Sequence, residues 1–77
     1  MQWDASDYVW RQVADVLATR ISDGTYPAGS ALPIETALAA ELGVSKGSVR
    51  KAIAELRDRG LVHTLHGRGT FVTKPVS

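Results

Sequence analysis

The sequence predicts a small, mostly α-helical domain that ends in a β-hairpin, and three observations support this fold class. Apolar residues recur at helical spacing in three separate segments before residue 60. A short glycine turn separates the second segment from the third. Beyond residue 60 the chain is rich in β-branched and apolar residues interrupted by two glycines, which is typical of a hairpin.

The first helix is predicted over residues 8–22. Asp7 is the expected N-cap, and Asp23 followed by Gly24 provides the stop signal. Residues 25–33 follow as an extended connector that is rich in proline and glycine. The apolar stripe of this helix, which we expect in the core, contains Trp10, Val13, Leu17 and Ile21.

The second and third helices are predicted to be joined by a tight turn. The second covers residues 34–42, with Leu38 and Leu42 facing the core. Gly43 ends it, because the left-handed conformation that follows a helix costs glycine little. Ser45 is the expected N-cap of the third helix, since its hydroxyl can accept a hydrogen bond from an otherwise unpaired amide.

The third helix is closed by Gly60, and residues 61–73 form the hairpin, with its tip near residues 66–69. The core face of the helix is formed by Val49, Ala52, Ile53 and Leu56. The hairpin adds Leu61, Val62, Leu65, Phe71 and Val72 to the core. This order of elements matches a winged helix-turn-helix. We therefore expect three helices plus a two-stranded wing, in a single domain over residues 1–77 with its core at about 8–73.

Composition excludes several classes of protein. The chain of 77 residues contains no cysteine, so it forms no disulfide and offers no thiolate to a metal. Its hydrophobic content of 44% suits a folded domain rather than a disordered tail. No apolar run approaches the roughly 18 residues of a membrane span. The N-terminus lacks the regions of a signal peptide, so a cytoplasmic location is expected.

Basic residues are concentrated in the second half of the chain. Residues 1–43 carry two bases and six acids, a net charge of −4, whereas residues 44–77 carry seven bases and two acids, a net charge of +5. This asymmetry marks either a solvated surface or a face that binds a polyanion. Position favours the second interpretation, because small and cationic residues occupy the start and outer side of helix 3, which enters the DNA major groove in a helix-turn-helix. These residues are Lys46, Gly47, Ser48, Arg50 and Lys51.

The stretch "YPAGSALPIETALAAELGVSKGSVRKAIAELRDRGLVHTLHGRGTFV" resembles the N-terminal DNA-binding domain of GntR-type bacterial transcription regulators. The resemblance covers roughly residues 9–73. It implies a winged helix-turn-helix that binds double-stranded operator DNA in a sequence-specific manner, with helix 3 in the major groove and the wing at the minor groove. The expected operator is palindromic.

The resemblance also implies roles for single residues of helix 3. Ser45 matches the cap residue of the family, which commonly also touches a phosphate. Lys46 stands at a base-reading position that is usually arginine, although lysine cannot form the rigid fork of arginine. Ser48 stands where a threonine often contacts the DNA backbone. Arg50 matches an arginine of the family motif, and its guanidinium can pair with guanine or bind a phosphate.

Outside helix 3 the resemblance adds the wing tip and the start of helix 2. Gly67 matches the glycine that approaches the minor groove, with His66 and Arg68 beside it. Thr36 stands where a DNA-contacting arginine is frequent, so helix 2 is expected to contribute less affinity. Ile34 replaces the serine that usually caps helix 2, so this cap is lost or provided by another group.

The competing interpretation is a winged helix that binds another protein, with an incidental basic face. The start of helix 3 and the wing tip are poor in apolar residues, which suits phosphates better than a protein hot spot. An enzyme is not expected, because Ser45 and Ser48 have no base and orienting acid at motif spacing. His63 and His66 alternate to opposite faces of a strand without a third ligand, so neither a metal nor another cofactor is expected.

Two further expectations concern the far end of helix 3 and the length of the chain. Arg57 and Arg59 are interpreted as structural, because cations stabilise the C-terminal end of a helix.

GntR-type proteins typically continue into a longer effector-binding and dimerising domain, and no small-molecule effector site is visible in this chain. The chain is either a fragment or a stand-alone module. Met1 and the aromatic leader with Trp3 favour an intact N-terminus, and a stand-alone module is the expectation. We expect a monomer in solution that pairs on DNA.

Overall fold

The computed structural model describes residues 3–74, so residues 1–2 and 75–77 lie outside it. Its elements occur in the order α1 (Val9–Ser22), α2 (Glu35–Leu42), α3 (Lys46–Asp58), β1 (Val62–Leu65) and β2 (Gly69–Val72). The two strands form an antiparallel hairpin. The predicted fold class of three helices plus a two-stranded wing is therefore confirmed. Among the described residues, no helix is long and apolar enough to cross a membrane.

The start of α1 differs from the prediction, because its N-cap is Tyr8 and not Asp7. No side chain caps this end of the helix. Asp7 lies one position earlier, where its carboxylate accepts a hydrogen bond of 2.7 Å from the backbone amide of Tyr8. It also lies 3.8 Å from Arg11. Asp7 thus stabilises the positive end of the helix dipole from outside the helix.

The turn between α2 and α3 has the predicted caps. Gly43 has a φ of 67°, in the left-handed region that favours glycine. The hydroxyl of Ser45 accepts a hydrogen bond of 3.1 Å from the amide of Ser48. The indole of Trp3 donates a hydrogen bond of 3.1 Å to the carbonyl of Leu42, so the segment before α1 packs on the end of α2.

The core lies where α1 and α2 pack against α3 and where the wing closes one end of the helices. Ile21, Ile53 and Leu61 pack against it from partly buried positions. Trp10, Leu65 and Phe71, which the sequence places in the core, are not part of it. The buried apolar residues are Val13, Ala14, Leu17, Leu32, Leu38, Ala39, Leu42, Val49, Ala52, Leu56, Val62 and Val72.

Leu32 enters the core because the connector pairs with the wing. Its amide donates a hydrogen bond of 2.8 Å to the carbonyl of Thr70, and the amide of Val72 donates one of 2.8 Å to Ser30. Ala31 forms a β-bridge with Phe71 between these two bonds. A single leucine between turn residues has no periodicity, so the sequence does not reveal this burial.

The register of the wing explains why Leu65 and Phe71 lie outside the core. Side chains alternate along a strand, so only every second residue faces the helices. Leu65 is 43% exposed on the outer face, where Phe71 stacks on His63 with 6.1 Å between ring centroids. The cross-strand pairs are Val62 with Val72, His63 with Phe71, Thr64 with Thr70, and Leu65 with Gly69.

Trp10 lies on the same side of α1 as Val13 and Leu17 but one turn nearer the helix start. At that level α3 presents Lys51, whose Nζ lies 4.9 Å from the centroid of the indole ring. Tyr8 stacks on the indole with 6.5 Å between the ring centroids. The half-buried indole therefore lies outside the core cluster, next to a cation.

Candidate nucleic-acid interface

The start of α2, the outer side of α3 and the wing enclose an open groove of about 430 Å³. Two of the residues predicted to contact DNA, Arg50 and Arg68, line this groove. Glu35 and Arg57 line it as well. The fold thus places three arginines and one carboxylate along one cleft, which we call the α3–wing groove.

The first turn of α3 is open to solvent. Lys46 and Gly47 are exposed, and Ser48 is half-buried. The hydroxyls of Ser45 and Ser48 lie 3.1 Å apart, so each serine has a hydrogen-bond partner within the turn. Gly47 has no positive φ, and a Cβ at this position would meet only the Ser45 hydroxyl, at 3.8 Å. The fold itself therefore does not require glycine at position 47.

Arg50 forms a bidentate ion pair with Glu35 that the sequence does not predict. Nη2 of Arg50 donates a hydrogen bond of 2.8 Å to Oε1 of Glu35, and Nε donates one of 3.3 Å to Oε2. The hydrogen bond and charge of Arg50 lower the pKa of Glu35, with a smaller contribution from the charge of Lys46. The same pair raises the pKa of Arg50. The partners are 15 residues apart in sequence, and only the packing of α2 on α3 brings them together.

Arg57 and Arg59, both interpreted as structural from the sequence, have different surroundings. Arg59 pairs with Glu55 at 2.8 Å and lies 3.8 Å from Asp15 of α1. Arg57 instead points into the α3–wing groove, where its Nη1 donates a hydrogen bond of 3.3 Å to the hydroxyl of Thr64. Both arginines lie at the C-terminal end of α3, where the helix dipole favours cations, but of the two only Arg59 is also ion-paired.

The remaining predicted residues lie outside the groove. Lys51 lies over the ring of Trp10, on the side of α3 that faces α1. The sequence predicts Trp10 in the core, so it does not predict this contact. Thr36 is exposed in the first turn of α2. His66 and Gly67 are exposed at the wing tip, where the amide of Arg68 donates a hydrogen bond of 2.9 Å to Leu65 and closes the turn.

The wing tip has the expected glycine conformation. Gly67 has a φ of 75°, and nothing lies within 4 Å of the position that a Cβ would take. The backbone of the tip is therefore accessible from outside. Within residues 3–74, no three His, Cys, Asp or Glu side chains come close enough together to hold a metal ion.

Comparison with known proteins identifies relatives for almost the whole described chain. The model of the gntR family of bacterial regulatory proteins matches residues 10–72. An uncharacterized HTH-type transcriptional regulator of Rhizobium meliloti is 48% identical over 66 residues, which are 86% of this chain and 27% of that protein. The chain spans between 26% and 28% of the length of the first curated relatives that it matches.

Solved structures share the fold as well. A GntR family transcriptional regulator from Listeria monocytogenes superposes with a TM-score of 0.89 at 32% identity, over 95% of this chain and 64% of that chain. The AraR DNA-binding domain in complex with operator ORR3 superposes with a TM-score of 0.79 at 30% identity, over 95% of this chain and 92% of that chain. The winged helix-turn-helix predicted from the sequence is thus the fold of these proteins.

Proposed function

Because this chain belongs to the gntR family of bacterial regulatory proteins, we propose that it is a transcription regulator that binds double-stranded DNA in a sequence-specific manner. The observation that carries the proposal is the likeness to a DNA-binding domain whose structure contains its operator. The distribution of the described lysines and arginines that have no ion-pair partner supports it. Four of these five residues, Lys46, Lys51, Arg57 and Arg68, lie on α3 and the wing, and the fifth, Lys74, follows β2.

In this proposal the first turn of α3 enters the major groove. Lys46 contacts a base edge or a phosphate, and Gly47 lets the backbone of the helix come close to the DNA. The hydroxyls of Ser45 and Ser48 face the DNA backbone, next to helix amides that have no intrahelical acceptor. The positive end of the α3 dipole adds to the attraction for phosphate.

Arg50 is the proposed base-reading residue, and Glu35 positions it. Glu35 occupies the side of the guanidinium formed by Nε and Nη2. A guanidinium carries five N–H donors, so the end formed by Nη1 and the second hydrogen of Nη2 remains available. That end can donate two parallel hydrogen bonds to O6 and N7 of a guanine. Glu35 and guanine can therefore bind the same side chain at once.

The other predicted residues take supporting roles. His66, Gly67 and Arg68 form the tip that approaches the minor groove. Thr36 on α2 and Lys51 on α3 are both exposed, and in the proposal they contact the DNA backbone. Two copies of the chain bind a palindromic operator, one on each half-site. We place the protein in the cytoplasm, where this domain acts by binding DNA and not as an enzyme.

Binding to random and selected duplexes tests the proposal. Selection from random duplexes yields a preferred site, and the protein binds that site more tightly than a scrambled duplex of equal length. Arg50→Ala lowers the affinity for the preferred site by about 5- to 150-fold and relaxes the preference at one base pair. Arg59→Ala is the matched control, because it removes the same charge at an ion-paired position, the C-cap of α3, at the end of the helix away from its first turn.

Two results would contradict the proposal. If selection yields no preferred site, the protein is not a sequence-specific regulator, and the basic face is incidental to a protein-interaction module. If Arg50→Ala binds the preferred site as the unaltered protein does, Arg50 does not read the operator.

A further inference from the structure

The α3–wing groove contains a cation that the proposed contacts at the helix start and wing tip do not use. Arg57 lies seven residues after Arg50 in α3, nearly two helical turns further on and about 10 Å along the helix axis. It therefore faces the same side of the helix as Arg50 but lies too far from the first turn to share its contacts.

The guanidinium of Arg57 is oriented by neutral groups. It donates a hydrogen bond of 3.3 Å to the hydroxyl of Thr64 on β1, which lies 3.3 Å from the hydroxyl of Thr70 on β2. These threonines are a cross-strand pair on the face of the wing that points toward the helices. Arg57, Thr64 and Thr70 thus form a connected series of polar groups that runs from α3 to β2 along the lining of the groove.

No described acid compensates the charge of Arg57. Within residues 3–74 no carboxylate oxygen lies within 4.0 Å of its guanidinium, whereas Arg50 and Arg59 each have such a partner. Arg68, further along the groove, is also without one in that range. The four charged side chains of the groove, Glu35, Arg50, Arg57 and Arg68, together carry a net charge of +2. The groove is therefore suited to an anion.

We propose that Arg57, oriented by Thr64 and Thr70, binds a phosphate of the DNA strand that separates the major groove from the minor groove. This inference rests on the proposed function. If the start of α3 lies in the major groove and the wing tip in the adjacent minor groove, the strand between the grooves has to cross the cleft between helix and wing. Arg57 lies in that cleft, and its free N–H donors can contact a phosphate oxygen.

Such a contact fixes the position of the protein without reading sequence. Arg57 thus acts on every duplex in the same way, in contrast to Arg50. Thr64 and Thr70 are positioning residues, since they hold the guanidinium and also offer hydroxyls that can donate to the same phosphate.

Arg57→Ala, measured on the preferred duplex and on a scrambled duplex over a range of salt concentrations, tests the inference. We expect about tenfold weaker binding to both duplexes. The slope of log affinity against log salt becomes shallower by about one unit, because one fewer counterion is released. Arg57→Lys keeps the slope, and Arg59→Ala, the matched control, changes neither quantity. Thr64→Val weakens binding at an unchanged slope.

A single neutral phosphate locates the contact. A methylphosphonate between the two grooves of the half-site weakens binding of the unaltered protein, and it has no further effect on Arg57→Ala. Thermal unfolding followed by circular dichroism verifies that each variant is folded at the temperature of the assay.

Two outcomes would overturn the inference while the proposed function stands. One is an Arg57→Ala variant with unchanged affinity and salt slope on a preferred site that the unaltered protein still selects. The other is an altered base preference, which would make Arg57 a base-reading residue. If the unaltered protein selects no site at all, the proposed function fails first.

Discussion

Arg50 carries its own counter-ion in the free protein. The exposed fraction of its side chain is 68%, and that of Glu35 is 34%. An ion pair this exposed contributes little to folding, because solvent screens it. Its consequence is orientation, since a bidentate contact holds the planar guanidinium in one direction. Glu35 also places a negative charge near the proposed DNA surface, where it disfavours contacts that are not well aligned.

The pair predicts a pH dependence with a definite sign. The pKa of Glu35 is lowered in the folded protein. The stabilisation by the ion pair is therefore fully present at pH values above the usual pKa of glutamate. It is lost as the pH falls through the lowered value. Carbon NMR titration of the Glu35 carboxyl group measures that pKa directly.

In Arg50→Ala we expect the pKa of Glu35 to move back up toward the usual glutamate range. Asp23 is the internal reference, because the hydroxyl and amide of Thr25 lower its pKa and do not depend on Arg50. An unchanged Glu35 titration in Arg50→Ala would show that the ion pair is not formed in solution.

Local signals and distant contacts differ in how well the sequence predicts them at the residue scale. Gly43 and Ser45 are correctly predicted caps, because capping depends on neighbours within a few residues. The pairing of Arg50 with Glu35 depends on how two helices pack, and no local pattern contains it. Arg57 and Arg59 are nearly adjacent in sequence, but two steps around a helix turn them by about 200°, toward different neighbours.

At the scale of elements, the register of the wing decides which hydrophobic residues are buried. Leu17 and Leu65 were both expected in the core, but Leu17 is fully buried and Leu65 is 43% exposed. The alternation of strand side chains is easy to recognise in a long strand and ambiguous in strands of four residues. Which of the alternating side chains face the helices is set by the pairing of Val62 with Val72, and this pairing depends on tertiary packing.

This difference predicts unequal costs for the same substitution. Leu17→Ala leaves a cavity among α1 and α3 and lowers the free energy of unfolding by about 2–5 kcal/mol. A domain of this size is stable by only about 3–5 kcal/mol, so the variant is largely destabilised. Leu65→Ala costs less than about 1 kcal/mol. Urea unfolding of both variants compares them, and equal losses would show that the outer face of the wing is covered.

The tip of the wing permits a test of its role with a matched control. Gly67 and Gly24 have φ values of 75° and 85°, and neither position is crowded. Valine therefore meets similar backbone strain at both sites, about 1–2 kcal/mol. We expect Gly67→Val to weaken DNA binding beyond this loss of stability, because the tip no longer presents its backbone to the minor groove.

Gly24→Val carries the same strain at the end of α1, away from the proposed interface, and retains its affinity. Equal affinities for the two variants, measured under conditions where both are folded, would mean that the wing tip does not contact DNA.

At the scale of the whole molecule, the order of elements is predictable because each boundary has a local signal. Helix periodicity, Gly43, Ser45 and Gly60 define three helices, and glycines define the hairpin. The α3–wing groove is not predictable in this way. It exists because the connector pairs with β2 and brings the start of α2 next to the wing, through hydrogen bonds between segments about 40 residues apart.

The distribution of exposed apolar surface predicts the oligomeric state of this chain. Among the described residues, Tyr8, Ile34 and Leu65 are the large hydrophobic residues with high exposure, and they lie at three separate places: before α1, before α2 and on β1. A stable dimer typically buries about 1,200–2,000 Å² in total, whereas the accessible surface of one chain is 4982 Å². Three separate residues do not provide a contiguous apolar interface of that size.

We therefore expect the isolated chain to be monomeric in solution and to bind a palindromic operator as two copies. Sedimentation of the free protein gives the first result, and titration onto half-sites and full sites gives the second. Because each copy makes few phosphate contacts, binding to a half-site is weak, and it falls less steeply with salt than the binding of two copies to a full site. A full site gains affinity only if neighbouring copies touch on the DNA. A tight dimer without DNA would contradict the prediction and would point to the aromatic surface of Tyr8 and Trp10 at the start of α1 as the interface.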